Sequence, residues 1–160
     1  MKEKPIAAND LVITALEKTD ALPYDLLLIA DPSKHAIDKY IFDSIVYKAD
    51  LKGRTIGCYA LFGIDHETVE IKNIAVDESF QGKGIGTILL NDAVEKAKLK
   101  GLKKIIIGTG NSSVGQLYLY QKVGFRITGI ERDFFKENYD EPIIENGIEC
   151  RDMIVLTKEL

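Results

Sequence analysis

The chain has 160 residues, enough for one domain with a sizeable core, and a composition of 46% hydrophobic and 29% charged residues with only 4 prolines excludes a disordered or fibrous class. A net charge of −4 argues against a general affinity for nucleic acid. No run of about 18 apolar residues is present to cross a membrane, and Met1-Lys2-Glu3-Lys4-Pro5 leads into no apolar signal core, so a cytoplasmic location is expected.

In chain order, residues 1–23 are weakly patterned: Leu11, Ala15 and Leu16 have helical spacing behind an Asn9 or Asp10 cap, and Pro23 closes the segment. Tyr24 to Ala30 is an apolar run that fits a strand or a buried helical turn equally. Asp31-Pro32-Ser33 reads as a cap with proline at the first helical position, opening a helix through Ile37, Tyr40 and Ile41. From Ile45 the period becomes two. Ile45, Tyr47, Ala49 and Leu51 lead to a Lys52-Gly53 turn; Ile56, Cys58, Ala60, Phe62 and Ile64 share one face of a second strand; after a turn near Asp65-His66 a third strand runs from Thr68 to Val76. Two successive antiparallel hairpins are the economical reading.

Beyond Val76 comes the glycine-rich stretch Gln81-Gly82-Lys83-Gly84-Ile85-Gly86, then a helix to about Lys100 stopped by Gly101, and a buried-looking strand over Ile105-Ile106-Ile107. Strand, helix, strand implies a parallel crossover. Asn111-Ser112-Ser113 opens another helix carrying Leu117, Tyr118 and Tyr120 and ending at Gly124. Phe125 to Ile130 and Met153 to Leu156 read as strands that pair across residues 131–152. The whole is an α/β domain with a mixed sheet, one domain over 1–160.

A glycine-rich turn between strand and helix points backbone N–H groups at the positive end of a helix dipole, which suits phosphate. A P-loop would need Ser or Thr after Gly-Lys, but Gly84 follows Lys83; a dinucleotide fingerprint would need glycine at position 87, which is Thr87. Gln-x-x-Gly-x-Gly, filled by Gln81, Gly84 and Gly86, is left, with Tyr-x-Lys-x-Gly-Phe downstream at Tyr120, Lys122, Gly124 and Phe125. With these two motifs in this order, the sequence resembles the GCN5-related N-acetyltransferase (GNAT) superfamily from about residue 45 to 130.

The resemblance implies a mixed, mostly antiparallel sheet with flanking helices and a splayed parallel strand pair at the coenzyme site. It implies acetyl-coenzyme A as co-substrate and no metal. The backbone of Ile74, Ala75 and Val76 would bind the pantetheine arm. The loop Gln81, Gly82, Lys83, Gly84, Ile85, Gly86 and Thr87 would hold the pyrophosphate. Tyr120 matches the family's general acid, and a phenol with a pKa near 10 is protonated at neutral pH. Glu70, six residues before Val76, stands where some relatives carry a catalytic glutamate, and strand alternation puts it on the face of Ile74. Many relatives have an asparagine eleven residues before the glycine of Gly-Phe; that position is Ser113 here, and the asparagine is Asn111, so either is a candidate contact to the coenzyme arm.

Other features have plainer readings. Cys58 and Cys150 lack zinc spacing and are expected to be reduced, and His35 and His66 lack metal-ligand partners. Lys96, Lys98, Lys100, Lys103 and Lys104 solvate the surface around a helix C-terminus. Tyr118 reads as core or groove wall. Between Glu131 and Asp152 lie eight acidic and three basic residues, interleaved with Phe134, Phe135 and Tyr139. The resemblance implies that this segment lines the acceptor site and that the reaction is direct acetyl transfer to a primary amine in a ternary complex; an acidic lining would favour a small cationic molecule as acceptor, while an acidic loop that only keeps the surface soluble is the plainer reading. A protein lysine or N-terminal amine is the alternative acceptor, and a non-catalytic acyl-coenzyme A sensor is the alternative class. A homodimer is a further implication of the family; no membrane or nucleic-acid partner is expected.

Overall fold

Leu11–Ala15 is a strand, β1, and not the helix that the spacing of Leu11, Ala15 and Leu16 suggests. Val12, Ile13 and Thr14 are β-branched, and β1 gains a main-chain partner: it runs antiparallel to β2 (Ser44–Leu51), with Ile13 opposite Ala49. The computed structural model describes residues 4–160; Met1 to Glu3, the start of the expected single domain over 1–160 and of the charged N-terminus, lie outside the described residues. The apolar run that was open between strand and helix is a helix, α1 (Tyr24–Ala30), with Leu26 and Leu27 buried. The next helix, α2 (Lys34–Asp38), starts later than the proline suggests. Ser33 is its N-cap, accepting from Ala36 N at 3.1 Å, and Pro32 stands outside the helix, before the cap.

Residue contacts divide the chain into two compact units, one holding the residues up to Gly63 with Ile71–Lys96, the other Ile64–Glu70 with Ala97–Leu160. In the first unit β1, β2, β3 (Arg54–Gly63) and the Ile71–Val76 part of β4 (Thr68–Val76) lie side by side in that order. Lys52 and Gly53 both have positive φ, 49° and 80°, as a two-residue hairpin turn requires. The expected faces are present, but their alternation is blurred because both sides of the hairpin are covered. Val46, Cys58, Ala60 and Ala75 pack with Leu26, Leu27, Ile37 and Ile41 of the α1–α2 layer. On the other side α3 (Ile85–Leu99) brings Leu89 against Gly57, and its Asp92 accepts the Tyr59 hydroxyl at 2.6 Å. Each fully buried leucine or isoleucine here contributes about 1.5–3 kcal/mol. Phe62 is half-buried, Ile45 is exposed near the start of β2, and Ile64, expected on the second strand, is exposed just past the end of β3 at Gly63.

In the second unit Glu67 O accepts from Lys103 N at 2.8 Å and Lys104 N at 3.1 Å, so β4 and β5 (Lys104–Gly110) set out side by side from one end, as a parallel pair. Antiparallel pairing prevails elsewhere. α4 (Val114–Lys122) precedes β6 (Arg126–Glu131), and after α5 (Phe134–Asn138) the two-residue strands β7 (Ile144–Glu145) and β8 (Ile148–Glu149) form a hairpin through Asn146-Gly147. β9 (Met153–Glu159) lies between β5 and β6, antiparallel to both, with Ile107 opposite Leu156. Gly101 closes α3 as expected: Leu102 N donates to Ala97 O and Gly101 N to Lys98 O, with Gly101 at φ 76°.

Candidate active site

The site residues named from the motifs fall into two groups, one in each unit. In the first unit β4 ends at Val76, and a short turn, Glu78–Phe80, leads to the glycine loop. Asp77 caps that turn by accepting from Ser79 N at 2.9 Å, while its own N–H donates to Ile56 O at 2.8 Å. Hydrogen bonds from Ser79, with Arg54 second, hold the Asp77 carboxyl below the usual range. Gln81 is the motif's latch: its side-chain NH2 reaches back to Val76 O at 3.0 Å, closing the loop over the strand end.

Gly82 and Gly84 have φ of 75° and 87°, and a Cβ at either would meet nothing within 4 Å. Backbone conformation demands glycine at these two positions, and the space beside them stays open for a group that approaches main chain. Gly86 differs, since it lies in the first turn of α3. Ile85 is buried, and Ile88 N donates to Gly84 O at 3.2 Å, so the N–H groups of Ile85, Gly86 and Thr87 belong to the first turn, which has no intrahelical acceptors. This cradle fits a diphosphate.

In the second unit Tyr120 sits on α4, 5% exposed, its ring tilted against Phe125 at 6.4 Å. Gly124 has φ 104°, and Phe125 N donates to Tyr120 O at 3.0 Å, so the Gly-Phe half of the motif ends the helix and props the tyrosine. Burial pushes the Tyr120 phenol well above its ordinary value. Tyr118, expected as core or groove wall, is instead 66% exposed, with Lys122 Nζ 5.7 Å from its ring centre, because α4 turns that face outward. Glu70 is half-buried on β4, where burial alternates without a break from Glu70 to Val76. Unbroken alternation places Glu70 on the same strand face as Ile74.

Asn111 and Ser113 are both engaged within this unit. The Asn111 side chain donates to Glu149 O at 3.1 Å and its oxygen accepts from Arg151 N at 2.8 Å and Asp152 N at 3.0 Å, which uses both oxygen lone pairs and one N–H. Ser113 gives α4 no side-chain cap; its hydroxyl donates to Glu145 at 3.1 Å. These bonds tie the β7–β8 hairpin and the segment after it to the loop opening α4. Glu145 was visible in the sequence only as one acid among eight, and its pairing with Ser112 and Ser113 spans more than 30 positions, beyond any local pattern.

Sequence reasoning also missed Asn73. Buried on β4, it donates to Leu27 O and Tyr40 Oη, both at 3.0 Å, and so ties the α1–α2 layer to the strand that carries Ile74–Val76. Among the described residues no cluster of three or more His, Cys, Asp or Glu suits a metal ion, and no helix is long and apolar enough to cross a membrane.

The mixed sheet, the open glycine loop between a strand end and a helix, and the buried tyrosine on a second helix belong to an α/β transferase. Residues 16–125 match the model of the Acetyltransferase (GNAT) family, and the chain belongs to that family. The chain is 54% identical over 144 residues, 90% of its length and 93% of the relative's, to the uncharacterized N-acetyltransferase YvbK of Bacillus subtilis (strain 168). A solved GNAT family acetyltransferase from Elizabethkingia anophelis with acetyl-CoA bound is 58% identical with a TM-score of 0.93, covering 95% of this chain and 99% of that one. A solved IAA acetyltransferase from Bacillus cereus ATCC 14579 is 53% identical with a TM-score of 0.90, covering 94% and 99%. This chain is an acetyltransferase with the mixed α/β fold of that family.

Proposed function

We propose that the protein transfers an acetyl group from acetyl-coenzyme A to the primary amine of a small cationic molecule, directly and within a ternary complex. The observation that carries the donor half is the cradle, two glycines held at positive φ in open space at the start of α3, in a chain 58% identical to an acetyltransferase that binds acetyl-CoA. When bound, the coenzyme supplies the activated acyl carbon and a thiolate leaving group. The chain's part is to position and to move protons. The backbone of Ile74–Val76 aligns the pantetheine arm and the loop amides hold the diphosphate. Glu70 takes one proton from the ammonium and frees the nitrogen lone pair that forms the N–C bond; as the C–S bond breaks, Tyr120, kept neutral by its burial, gives its proton to the sulfur and regains one from the acylated nitrogen.

The acceptor half rests on charge. In the segment from Glu131 to Asp152, Asp133 pairs with Arg151 at 3.1 Å and Glu145 with two serines, while Asp140 and Glu141 stay exposed on the stretch between α5 and β7. An excess of negative charge there attracts a cationic amine. The test is a thiol-release screen with acetyl-coenzyme A over polyamines, aminoglycoside-like amines and amino-acid derivatives, beside lysine peptides and the compound for which the Bacillus cereus relative is named. Preferred turnover of a small cation is the expected result. Turnover of peptides alone would transfer the assignment to a protein amine, and coenzyme binding without thiol release would make the chain a sensor.

A further inference from the structure

β6 is an edge strand. It pairs with β9 on one side, and among the described residues no strand pairs with the other, so a row of main-chain N–H and C=O groups faces outward. Monomeric proteins keep such edges short, charged or covered. β6 instead shows two large apolar side chains to solvent, Ile127 at 52% and Ile130 at 58% exposure. Three positions apart, they would lie on opposite faces of a regular strand. The register shift between Ile127 and Gly129 makes Thr128 an extra residue, so Ile127 stands opposite Leu156 and Ile130 opposite Ile154, which share one face of β9. Arg126 opposite Thr157, Gly129 opposite Val155 and Glu131 opposite Met153 share the other face. The Thr128 hydroxyl lies 2.8 Å from that of Thr157, which turns the extra side chain toward β9 and leaves the outer edge open.

Counted in the register of β9, β6 reads Arg126, Ile127, Gly129, Ile130, Glu131, and this order is its own complement. Laid antiparallel against a second β6 about a two-fold axis through Gly129, each residue meets a matching one on the same face. Ile127 meets Ile130 and Arg126 meets Glu131, each twice, and the two Gly129 residues meet at the centre, where no side chain holds the backbones apart. We propose that β6 is an isologous interface that joins two copies of this chain edge to edge, antiparallel and centred on Gly129. The four isoleucines then cover one another, each arginine has a carboxylate of the other copy opposite, and the outward N–H and C=O groups gain partners. A second copy supplies this match by symmetry, whereas an extended segment of another protein would have to reproduce it residue by residue.

Sedimentation equilibrium on the wild-type chain and on R126E, E131R and the double variant R126E/E131R tests it. The wild type should sediment with the mass of two chains at micromolar concentration. Each single variant turns two attractions per dimer into two repulsions and should weaken association by about tenfold or more. The double variant exchanges the charges and should return to within about threefold of the wild type. R126E mixed in equal amount with E131R should form a mixed dimer, because the two acidic positions of one chain then meet the two basic positions of the other. No effect within a single chain produces that rescue. A wild type that stays monomeric overturns the proposal and leaves the edge to an extended segment of a different protein. Single variants that associate as tightly as the wild type overturn it by placing the dimer contact elsewhere, and so does a mixture of the two that associates no better than either alone.

Discussion

Replacing Gly57 with alanine probes how the first unit holds the coenzyme strand. Gly57 lies in β3 with ordinary strand backbone, so the substitution adds a methyl group without φ strain. That methyl would stand 3.1 Å from Leu89 Cδ1 of α3, 3.2 Å from Ala75 O of β4 and 3.9 Å from Ala49 Cβ of β2. The first two contacts are short by a few tenths of an ångström. Leu89 relieves one by turning its side chain, but Ala75 O is main chain and yields only if β4 shifts. Overpacking of this kind costs about 1–3 kcal/mol. For a chain of this size the melting temperature should fall by about 3–9 °C. Because Ala75 belongs to the backbone proposed to align the pantetheine arm, KM for acetyl-coenzyme A should rise together with the loss of stability. Leu89→Ala alone costs about 2–5 kcal/mol through its cavity, and the added methyl fills part of that space, so the double variant should be more stable than the sum of the singles by about 1 kcal/mol. Urea unfolding of the four proteins reads the cycle. An unchanged Tm in G57A, or strict additivity in the double variant, refutes the packing argument.

Tyr120→Phe should lower turnover by about a hundredfold with little change in coenzyme affinity, and undiminished turnover removes the acid role. Since burial raises the phenol above its ordinary value of 10.0, the protonated form persists as pH rises, and the wild type should show no alkaline loss of kcat from this group below pH 10. Glu70→Gln should flatten the acidic limb of the pH–rate profile, and an unaltered profile dismisses it as the base. Asn111→Ala removes three side-chain hydrogen bonds to segment 149–152, worth about 1–3 kcal/mol together; amide exchange at Arg151 and Asp152 should accelerate, and unchanged protection contradicts the tie. Burial pushes the Cys58 thiol up to about 12 from 9.0, so stability should hold below pH 9 and fall as pH rises toward 12; a C58A variant with the same alkaline decline would assign that decline to other groups.

The glycine loop and the Tyr120 motif were legible because their requirements are local. Positive φ at Gly82 and Gly84, the Gln81 latch five residues from Val76 and the Gly124-Phe125 prop under Tyr120 all act over a few positions, so their residue types stand in the sequence as motifs. The strands β3 and β4 and the close of α3 at Gly101 were readable for the same reason, through alternation and turn chemistry. β1 was misread because three β-branched residues in a five-residue segment carry less signal than the spacing of their neighbours, and only pairing with β2 makes the extended form stable.

By itself the sequence determined the elements from β2 to α4, the glycine loop and the family resemblance, since backbone conformation and hydrophobic period are properties of short stretches. The tertiary structure decided what long-range contacts decide. Asn111 and Ser113, both candidates for the coenzyme arm, make side-chain bonds to residues 145–152; Asn73, anonymous in its strand, fastens α1 and Tyr40 to β4; and Arg54, from a different hairpin, meets Phe80. Side-chain partners more than about twenty residues apart are chosen by packing, and no local pattern encodes them.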